Sequence, residues 1–387
     1  MDFKDWFCLK DRESFTIDAM ITPSDAQFYL GRADIKNSLV RALARSFVDP
    51  GVPKMVLHGA YGSGKTQTLY HIAYLLENDP PKSLKSTPHT VLAILEMGSK
   101  STHHDWHLQL MEALSKDVVT AWVDDAFSKV KDWDAFLKTT LGDANLVQAV
   151  MNLRGGGEPP LIAWKWLAGQ KLSNAELQRL NLTRNLGDTG SGDMVNALAA
   201  IGRLATASNN EKLIFLMDET ESFALIRDND AQASVHNYLR RLAEPQNSSV
   251  GFIMSTYATI AEDMPTTILA PDVRSRIGPN NYIEIPPLPG VADVKVFLEE
   301  LLRELVDQDA AEKQIRTETL TSTRDTYPFD AEAFDLLIDY ASQDPYMSLP
   351  RNIIHAVNEC AISAWDIEKH VIDSEIVQEI APLVFQQ

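Results

Sequence analysis

The sequence predicts an α/β fold in which helices flank a parallel β-sheet, with a helical domain after it. A glycine-rich loop at 59–66 lies between a short apolar run and a helical pattern. A second apolar run, 212–217, ends in two acidic residues. From residue 289 onward apolar side chains recur at helical spacing. The order of strand, glycine loop and helix is typical of sheets that bind nucleotides.

The loop has the spacing G-x-x-x-x-G-K-[ST], which is the phosphate-binding loop, or P-loop, of nucleotide-hydrolysing proteins. Glycines let the backbone bend so that successive N–H groups point at phosphate oxygens. Lys65 brings a positive charge to the β- and γ-phosphates, and Thr66 offers a hydroxyl to Mg²⁺. The helix predicted at 67–76 directs its positive N-terminal end at the anion. We therefore expect ATP and Mg²⁺ here, with the nucleotide held by Gly59, Ala60, Tyr61, Gly62, Ser63, Gly64, Lys65, Thr66 and Gln67.

Apolar runs elsewhere supply the other strands of the sheet. They predict strands at 54–58, 90–96, 212–218, 250–256 and 282–285. Two of these strands end in residues suited to hydrolysis, and their roles follow from the chemistry of phosphoryl transfer.

Asp218 ends one strand and is suited to hold the Mg²⁺ shell, while Glu219 is suited to orient or deprotonate the attacking water. Another strand ends in Ser255 and Thr256. In this class of sheet that strand lies between the two nucleotide strands. We expect Thr256, with Ser255 as the second choice, to touch the γ-phosphate or the water; hydroxyls that only cap a turn are the alternative.

The segment between the second and third predicted strands is unusually long. Its part at 115–190 is helical in pattern and rich in tryptophan, so we expect an inserted helical subdomain. His103 and His107 have the spacing of a metal site, but no glutamate follows the first histidine as a zincin requires. A helix start capped by Ser or Thr is the favoured interpretation. The glycine stretch 187–193 lacks a lysine and carries two aspartates, so we predict a flexible turn before a helix.

Composition narrows the classes of protein. A length of 387 residues suggests two or three domains, and 45% apolar residues suffice for sizeable cores. Two cysteines far apart in sequence, no signal-peptide pattern and no apolar run of bilayer length predict a cytoplasmic protein. The net charge is −19, and from Pro289 onward seven Lys and Arg face twenty Asp and Glu. This balance disfavours a surface that grips nucleic acid.

These residues resemble the AAA+ superfamily and, within it, the origin-recognition and cell-division-cycle initiator-type ATPases. The resemblance covers most of the chain and is carried by Gly31-Arg32 before the first helix, the loop at 59–66, Asp218-Glu219, the strand at 250–256, Asp272-Val-Arg-Ser-Arg-Ile277 and Pro350-Arg351.

The resemblance implies roles for individual residues. Gly31 and Arg32 would contribute to nucleotide binding, and Thr256 or Ser255 would act as the first sensor. Arg276, or its neighbour Arg274, would reach as a finger into the ATP of the next subunit. Arg351 would be the second sensor, which brings a helical lid onto the γ-phosphate.

Residues 1–28 carry aromatic side chains without a clear period, and we expect an N-terminal arm packed on the main domain. The resemblance implies an AAA+ nucleotide-binding domain at 29–288 and a lid at 289–387. Within the insertion, 164–177 (WKWLAGQKLSNAEL) is similar to a segment of bacterial initiator-like ATP-binding proteins of BREX-type phage-defence loci.

The leading hypothesis is a Mg²⁺-dependent ATPase that forms homo-oligomers and acts as an assembly or signalling switch on a protein partner in phage defence. The alternative is a DNA-associated ATPase, either an initiator-like loader or a transposition regulator. A nucleotide-bound scaffold that barely turns over is a third, non-enzymatic possibility. The acidic composition of the predicted lid favours the first hypothesis, a switch that acts on a protein partner.

Overall fold

The computed structural model describes residues 2–10, 12–16, 25–48, 51–188 and 190–386. Residues 17–24 of the predicted N-terminal arm lie outside this described part. The strands are β1 (Lys54–Gly59), β2 (Thr87–Ile94), β3 (Glu211–Asp218), β4 (Val250–Tyr257) and β5 (Tyr282–Glu284).

Helices make up most of the remaining described chain. They are α1 (Phe3–Trp6), α2 (Ala33–Val48), α3 (Lys65–Asn78), α4 (His103–Leu114), α5 (Lys116–Lys129), α6 (Trp133–Leu141), α7 (Ala144–Leu153), α8 (Pro159–Leu167), α9 (Asn174–Arg179), α10 (Ser191–Asn209), α11 (Asn229–Leu242), α12 (Thr266–Leu269), α13 (Pro271–Ile277), α14 (Val291–Leu305), α15 (Gln308–Glu318), α16 (Ala331–Ala341), α17 (Pro350–Asp366) and α18 (Ser374–Phe385). None of the described helices has an apolar stretch of the length that a bilayer crossing requires.

The described strands form one parallel sheet in the order β2-β3-β4-β1-β5. Strand β4 therefore lies between β1, which leads into the glycine loop, and β3, which ends in the acidic pair. The register pairs Val56 of β1 with Tyr282, and Met217 of β3 with Met254. Every residue of β1 is buried, as expected for a parallel strand covered on both faces.

The chain divides into two compact units. The first, here called the loop unit, consists of Met1–Ser38, Gly59–Tyr74 and Ile285–Gln387, and so includes the glycine loop and α14–α18. The second, the sheet unit, consists of Leu39–His58 and Leu75–Glu284. The domain limits predicted at residues 28 and 288 stay predictions.

The segment of the expected insertion forms helices α5–α9. Its apolar side chains join one continuous core with α10 and the sheet, rather than a core of their own. Trp122 of α5 illustrates the connection, because its indole Nε1 donates to Glu211 Oε2 of β3 at 2.9 Å. The expected subdomain is therefore an extension of the sheet's own hydrophobic layer.

The described N-terminal residues pack on the C-terminal helices of the loop unit. Lys10 N donates to Leu305 O at 2.9 Å, and Asp307 N donates to Cys8 O at 2.7 Å, on either side of an antiparallel bridge. The aromatic rings that show no clear period in the sequence are buried or half-buried in this contact; they are Phe3, Phe7 and Phe15, and Phe3 also meets Trp365. Burial of these rings holds the arm in place.

Candidate functional site

The glycine loop leaves β1 and bends through positions where a side chain would not fit. A Cβ on Gly59 would lie 2.3 Å from the carbonyl oxygen of Ile285, closer than any real contact. Gly62 has a φ of +78°, in the left-handed region that favours glycine. The loop thus adopts the tight bend that its glycine spacing predicts, and α3 begins at Lys65.

Lys65 and Ser63 place polar atoms inside this bend. The Lys65 side chain is buried, and its Nζ donates to Gly59 O at 3.1 Å and to Ala60 O at 3.0 Å. The ammonium thus lies against the loop's own carbonyls. The hydroxyl of Ser63 is fully buried and has no hydrogen-bond partner within the described part of the chain. A cation and an unpaired hydroxyl in a glycine cradle suit a phosphate group.

Arg351 of α17 lies directly over the loop in the same unit. A Cβ on Gly62 would be 3.2 Å from Arg351 Cβ and 3.6 Å from its Cδ. The guanidinium carbon lies 4.8 Å from the centre of the Tyr61 ring, and that ring is 67% exposed. A side chain 290 positions after Tyr61 therefore contacts the same glycine loop that holds Lys65.

Gly31 and Arg32 are fixed by other parts of the loop unit. The Gly31 N–H donates to Glu300 Oε2 at 2.6 Å, and a Cβ on Gly31 would lie 2.7 Å from Phe297 Cβ. Arg32 is buried and donates through Nη2 to Pro286 O at 2.8 Å. Burial lowers the pKa of Arg32, although neighbouring Tyr29 offsets part of this shift. The two predicted nucleotide-binding residues thus have clear structural contacts of their own.

Gln67 connects the loop helix to the segment before Gly31. Its Nε2 donates to Asp25 O at 2.8 Å and to Phe28 O at 2.6 Å. At the next position of α3, Thr68 Oγ1 lies 3.1 Å from the hydroxyl of Tyr29. The Gln67 amide nitrogen is therefore occupied in holding residues 25–28, a task that the sequence prediction did not include.

The acidic pair lies in the sheet unit at the carboxyl end of β3. Asp218 is buried, and its Oδ1 accepts hydrogen bonds from the Glu219 N–H at 3.0 Å and from the Ser255 hydroxyl. Glu219 has a φ of +57°, unusual for a residue other than glycine or asparagine. Partial burial raises the pKa of Glu219, and the charges of Asp218, Glu221 and Glu96 raise it further. A carboxylate with raised proton affinity is suited to accept a proton.

The two hydroxyls at the end of β4 have different surroundings. Ser255, the second choice from sequence, contacts Asp218 directly. Thr256, the first choice, is fully buried, and its Oγ1 has no hydrogen-bond partner among the residues that the structure describes. Thr220 Oγ1 donates to Ser255 O at 2.7 Å and fixes the turn after the acidic pair. The assignment of Thr256 as the sensor stays a prediction.

Glu221, two residues after the acidic pair, is half-buried and contacts the neighbouring strand. Its Oε2 accepts the N–H of Tyr257, the last residue of β4, at 3.1 Å. The turn after β3 is thus tied to the end of β4. In the sequence, the only sign of this contact is an acidic residue two positions after the Asp-Glu pair.

Arg274 and Arg276 both lie on α13. Arg276 Nη1 donates to the carbonyl oxygen of Asp272 on the same helix. Arg274 is exposed, with its guanidinium carbon 5.8 Å from the centre of the Tyr282 ring. The sequence prediction named Arg276 first; in this structure Arg274 is the more exposed of the two.

His107, in the second turn of α4, is hydrogen-bonded within the core. Thr102 caps the helix with Asp105, as the favoured interpretation predicts. The two ring nitrogens of His107 lie 2.9 Å from the Tyr238 hydroxyl and 2.8 Å from Leu167 O. Both nitrogens are thereby engaged in the core, and burial lowers the pKa of His107 to about 4.

Comparisons with known proteins support the fold. No protein-family model matches the chain, and no curated protein matches it. The ORC2 protein of Aeropyrum pernix, in ADPNP-ADP complexes, is similar in structure with a TM-score of 0.53 at 12% identity, over 97% of this chain and 72% of that one. Its ADP form gives a TM-score of 0.53 at 13% identity, over 97% of this chain and 73% of that one. The Cdc6p protein of Pyrobaculum aerophilum aligns with a TM-score of 0.47 at 11% identity, over 94% and 71%.

The predicted fold class is confirmed. The chain has the AAA+ fold, with a parallel five-stranded sheet, flanking helices and a C-terminal helical region. Identities of 12–13% show the fold alone.

Proposed function

We propose that this protein is a Mg²⁺-dependent ATPase that works as a nucleotide-driven assembly or signalling switch. The observation that carries the proposal is the cationic cradle of the loop unit. There Lys65 lies inside a bent glycine loop, and Arg351 from a distant helix lies over the same loop. Two cations and a helix N-terminus at one loop match the charge of a triphosphate.

The residues of the cradle would bind and orient the triphosphate. Lys65 neutralises charge on the β- and γ-phosphate oxygens, and the Arg351 guanidinium adds a forked donor at the same place. The Thr66 hydroxyl and the Asp218 carboxylate are hard oxygen donors, which suit Mg²⁺. When bound, Mg²⁺ supplies Lewis-acid stabilisation of the developing phosphate charge.

Glu219 would serve as the general base. Its raised pKa favours acceptance of a proton from the attacking water, and the hydrogen bond between its own N–H and Asp218 Oδ1 fixes its backbone. The buried Thr256 hydroxyl, or that of Ser255, would contact the γ-phosphate or the water.

An arginine of α13 would complete the site of a neighbouring subunit. A trans arginine typically contributes a factor of about 10³–10⁵ in rate, so turnover would depend on assembly of the homo-oligomer. Gly31 and Arg32 would contribute to the nucleotide site, and Gln67 would hold the residues just before them, 25–28, against α3.

The setting that we favour is a protein partner in a prokaryotic phage-defence system. Support comes from the resemblance of residues 164–177 and from the acidic balance of the C-terminal part. The acidity also disfavours the alternative, a DNA-associated loader or transposition regulator.

The test of catalysis compares ATP turnover and nucleotide binding in two variants. Lys65→Ala should lose binding and turnover together, whereas Glu219→Gln should bind ATP but turn over at least about 10²-fold more slowly. The matched controls are Lys295→Ala, an exposed lysine of the same unit, and Glu262→Gln, an exposed acid of the sheet unit. Turnover that is unchanged in both test variants would refute the proposal.

A second experiment addresses assembly and DNA. Sizing of the protein with ADP and with a non-hydrolysable ATP analogue should give a larger species with the analogue. A mobility shift with long duplex DNA separates the two settings: tight binding that weakens steeply with salt would favour the DNA-associated alternative.

A further inference from the structure

A carboxylate on the helix of the two candidate trans arginines links that helix to two polar side chains of α11. Asp272 lies in the first turn of α13, and its Oδ1 accepts a hydrogen bond from His236 Nε2 at 3.0 Å. Its Oδ2 lies 3.9 Å from Arg240 Nε. Residues four apart share a helix face, so both side chains of α11 approach Asp272 from the same direction. Burial raises the pKa of Asp272, but the hydrogen bond and charge of His236 outweigh this and the pKa is lowered.

Asp272 is also hydrogen-bonded to one of the two arginines of α13. Its backbone carbonyl accepts the hydrogen bond from Arg276 Nη1. The other arginine, Arg274, extends over the Tyr282 ring, whose hydroxyl donates to Ile268 O at 2.9 Å. The side chain of Asp272 therefore contacts α11, while its backbone carbonyl is bonded to an arginine of its own helix, α13.

Helix α11 is a firm support for this contact. Its opposite face is fully buried in the core of the sheet unit, where Val235, Tyr238 and Leu239 are 0% exposed. The Tyr238 hydroxyl is hydrogen-bonded to His107 of α4. A shift of α11 would disturb these contacts, so the position of its exposed face is well defined.

We propose that His236, assisted by Arg240, is a positioning residue that holds α13 through Asp272 in the orientation that presents its arginine to the next subunit. The proposal rests on the trans-arginine part of the proposed function. It holds for either arginine, because both lie on α13. Helix α13 is seven residues long and is anchored by buried Val273 and Ile277. A misplacement of its arginine by about 1 Å can still reduce a rate by about 10²-fold.

The experiment measures turnover per subunit against protein concentration, together with nucleotide affinity and the midpoint of thermal unfolding. His236→Ala should keep its nucleotide affinity and unfolding midpoint but lose about tenfold to hundredfold of the concentration-dependent turnover. His236→Gln should restore most of that turnover, since the glutamine amide can donate to Asp272 in place of Nε2. Asn237→Ala, an exposed neighbour on α11, is the matched control and should resemble the unsubstituted chain.

The outcomes separate the two proposals. If turnover of the unsubstituted chain does not rise with concentration, the trans-arginine proposal itself is wrong. If Arg274→Ala or Arg276→Ala loses the stimulated turnover while His236→Ala keeps it, only the positioning inference is overturned. An equal loss in His236→Ala and His236→Gln, with a lower unfolding midpoint, would also overturn it, because packing alone would then explain the effect. Asp272→Asn, which keeps the side-chain shape, replaces His236→Ala if that variant does not fold.

Discussion

Two neighbouring hydroxyls at the end of β4 provide a paired test with opposite expected signs. Ser255 donates to the Asp218 carboxylate, and the two residues are 0% and 6% exposed. Thr256 is also 0% exposed, yet its hydroxyl has no hydrogen-bond partner within the described residues. The variants to compare are Ser255→Ala and Thr256→Val, each of which removes one hydroxyl with little change of shape.

The magnitudes follow from these contacts. A hydrogen bond to a charged group contributes about 1.5–3 kcal/mol. Ser255→Ala removes one from Asp218, while the Glu219 N–H at 3.0 Å remains. We expect the free energy of unfolding to fall by about 1.5–3 kcal/mol in Ser255→Ala. A buried hydroxyl without a partner is itself unfavourable, so Thr256→Val should be neutral or raise it by about 1 kcal/mol.

Urea unfolding followed by tryptophan fluorescence measures both changes. Five of the seven tryptophans lie in the sheet unit, so the signal reports mainly on the unit that contains β4. A loss below about 0.5 kcal/mol in Ser255→Ala, or a loss above about 1 kcal/mol in Thr256→Val, would contradict the reasoning. Turnover with saturating ATP and Mg²⁺, measured on the same variants, then tests which hydroxyl acts as the sensor.

Three further predictions concern charge. Burial lowers the pKa of His107 to about 4, so the folded state binds fewer protons than the unfolded state between pH 4 and 6.5. The contribution of His107 to the free energy of unfolding should therefore be complete above pH 6.5 and fall toward pH 4 by up to about 3 kcal/mol. In pH-dependent urea unfolding His107→Gln should remove this contribution and leave that of buried His103, whose pKa is also lowered to about 4, whereas exposed His355→Gln should change neither. Burial lowers the pKa of Lys54 from 10.5 to about 8, so the folded state binds fewer protons than the unfolded state between these pH values. The free energy of unfolding should therefore rise by up to about 3 kcal/mol from pH 8 to pH 10.5, and Lys54→Met should show no such rise in urea unfolding. Arg351→Ala should weaken the binding of a non-hydrolysable ATP analogue, measured by calorimetry, by about tenfold to hundredfold. Arg351→Lys should recover only part of this affinity, because lysine lacks the guanidinium fork. Equal binding by the unsubstituted chain and both variants would rule out contact between Arg351 and the nucleotide.

Contiguous motifs made much of the fold predictable. The strand predicted at 54–58 is β1, and the helix after the loop is α3, because buried apolar runs and glycine spacing are local signals. The strand predicted at 90–96 instead spans Thr87–Ile94, since it pairs residue by residue with β3 from Thr87 onward. Pairing with a strand more than 100 residues away leaves no local pattern in the sequence.

Contacts between distant segments explain what the sequence did not reveal about the site. The register that pairs Met217 with Met254 brings the next residues of these strands, Asp218 and Ser255, to the same level. Neighbouring residues on a strand point to opposite faces, so a one-residue change of register would have favoured Thr256. The packing of Arg351 over the loop is likewise a tertiary contact, and only its resemblance to a family motif indicated it beforehand.

The arm contact has a consequence for how the protein is made. The described residues between Asp2 and Thr16 pack against partners between Leu305 and His370, so they are synthesised well before the segments on which they pack. The sheet unit, which ends at Glu284, can complete its core about a hundred residues sooner. During that interval the aromatic side chains of these residues lack the surface that buries them in the folded protein.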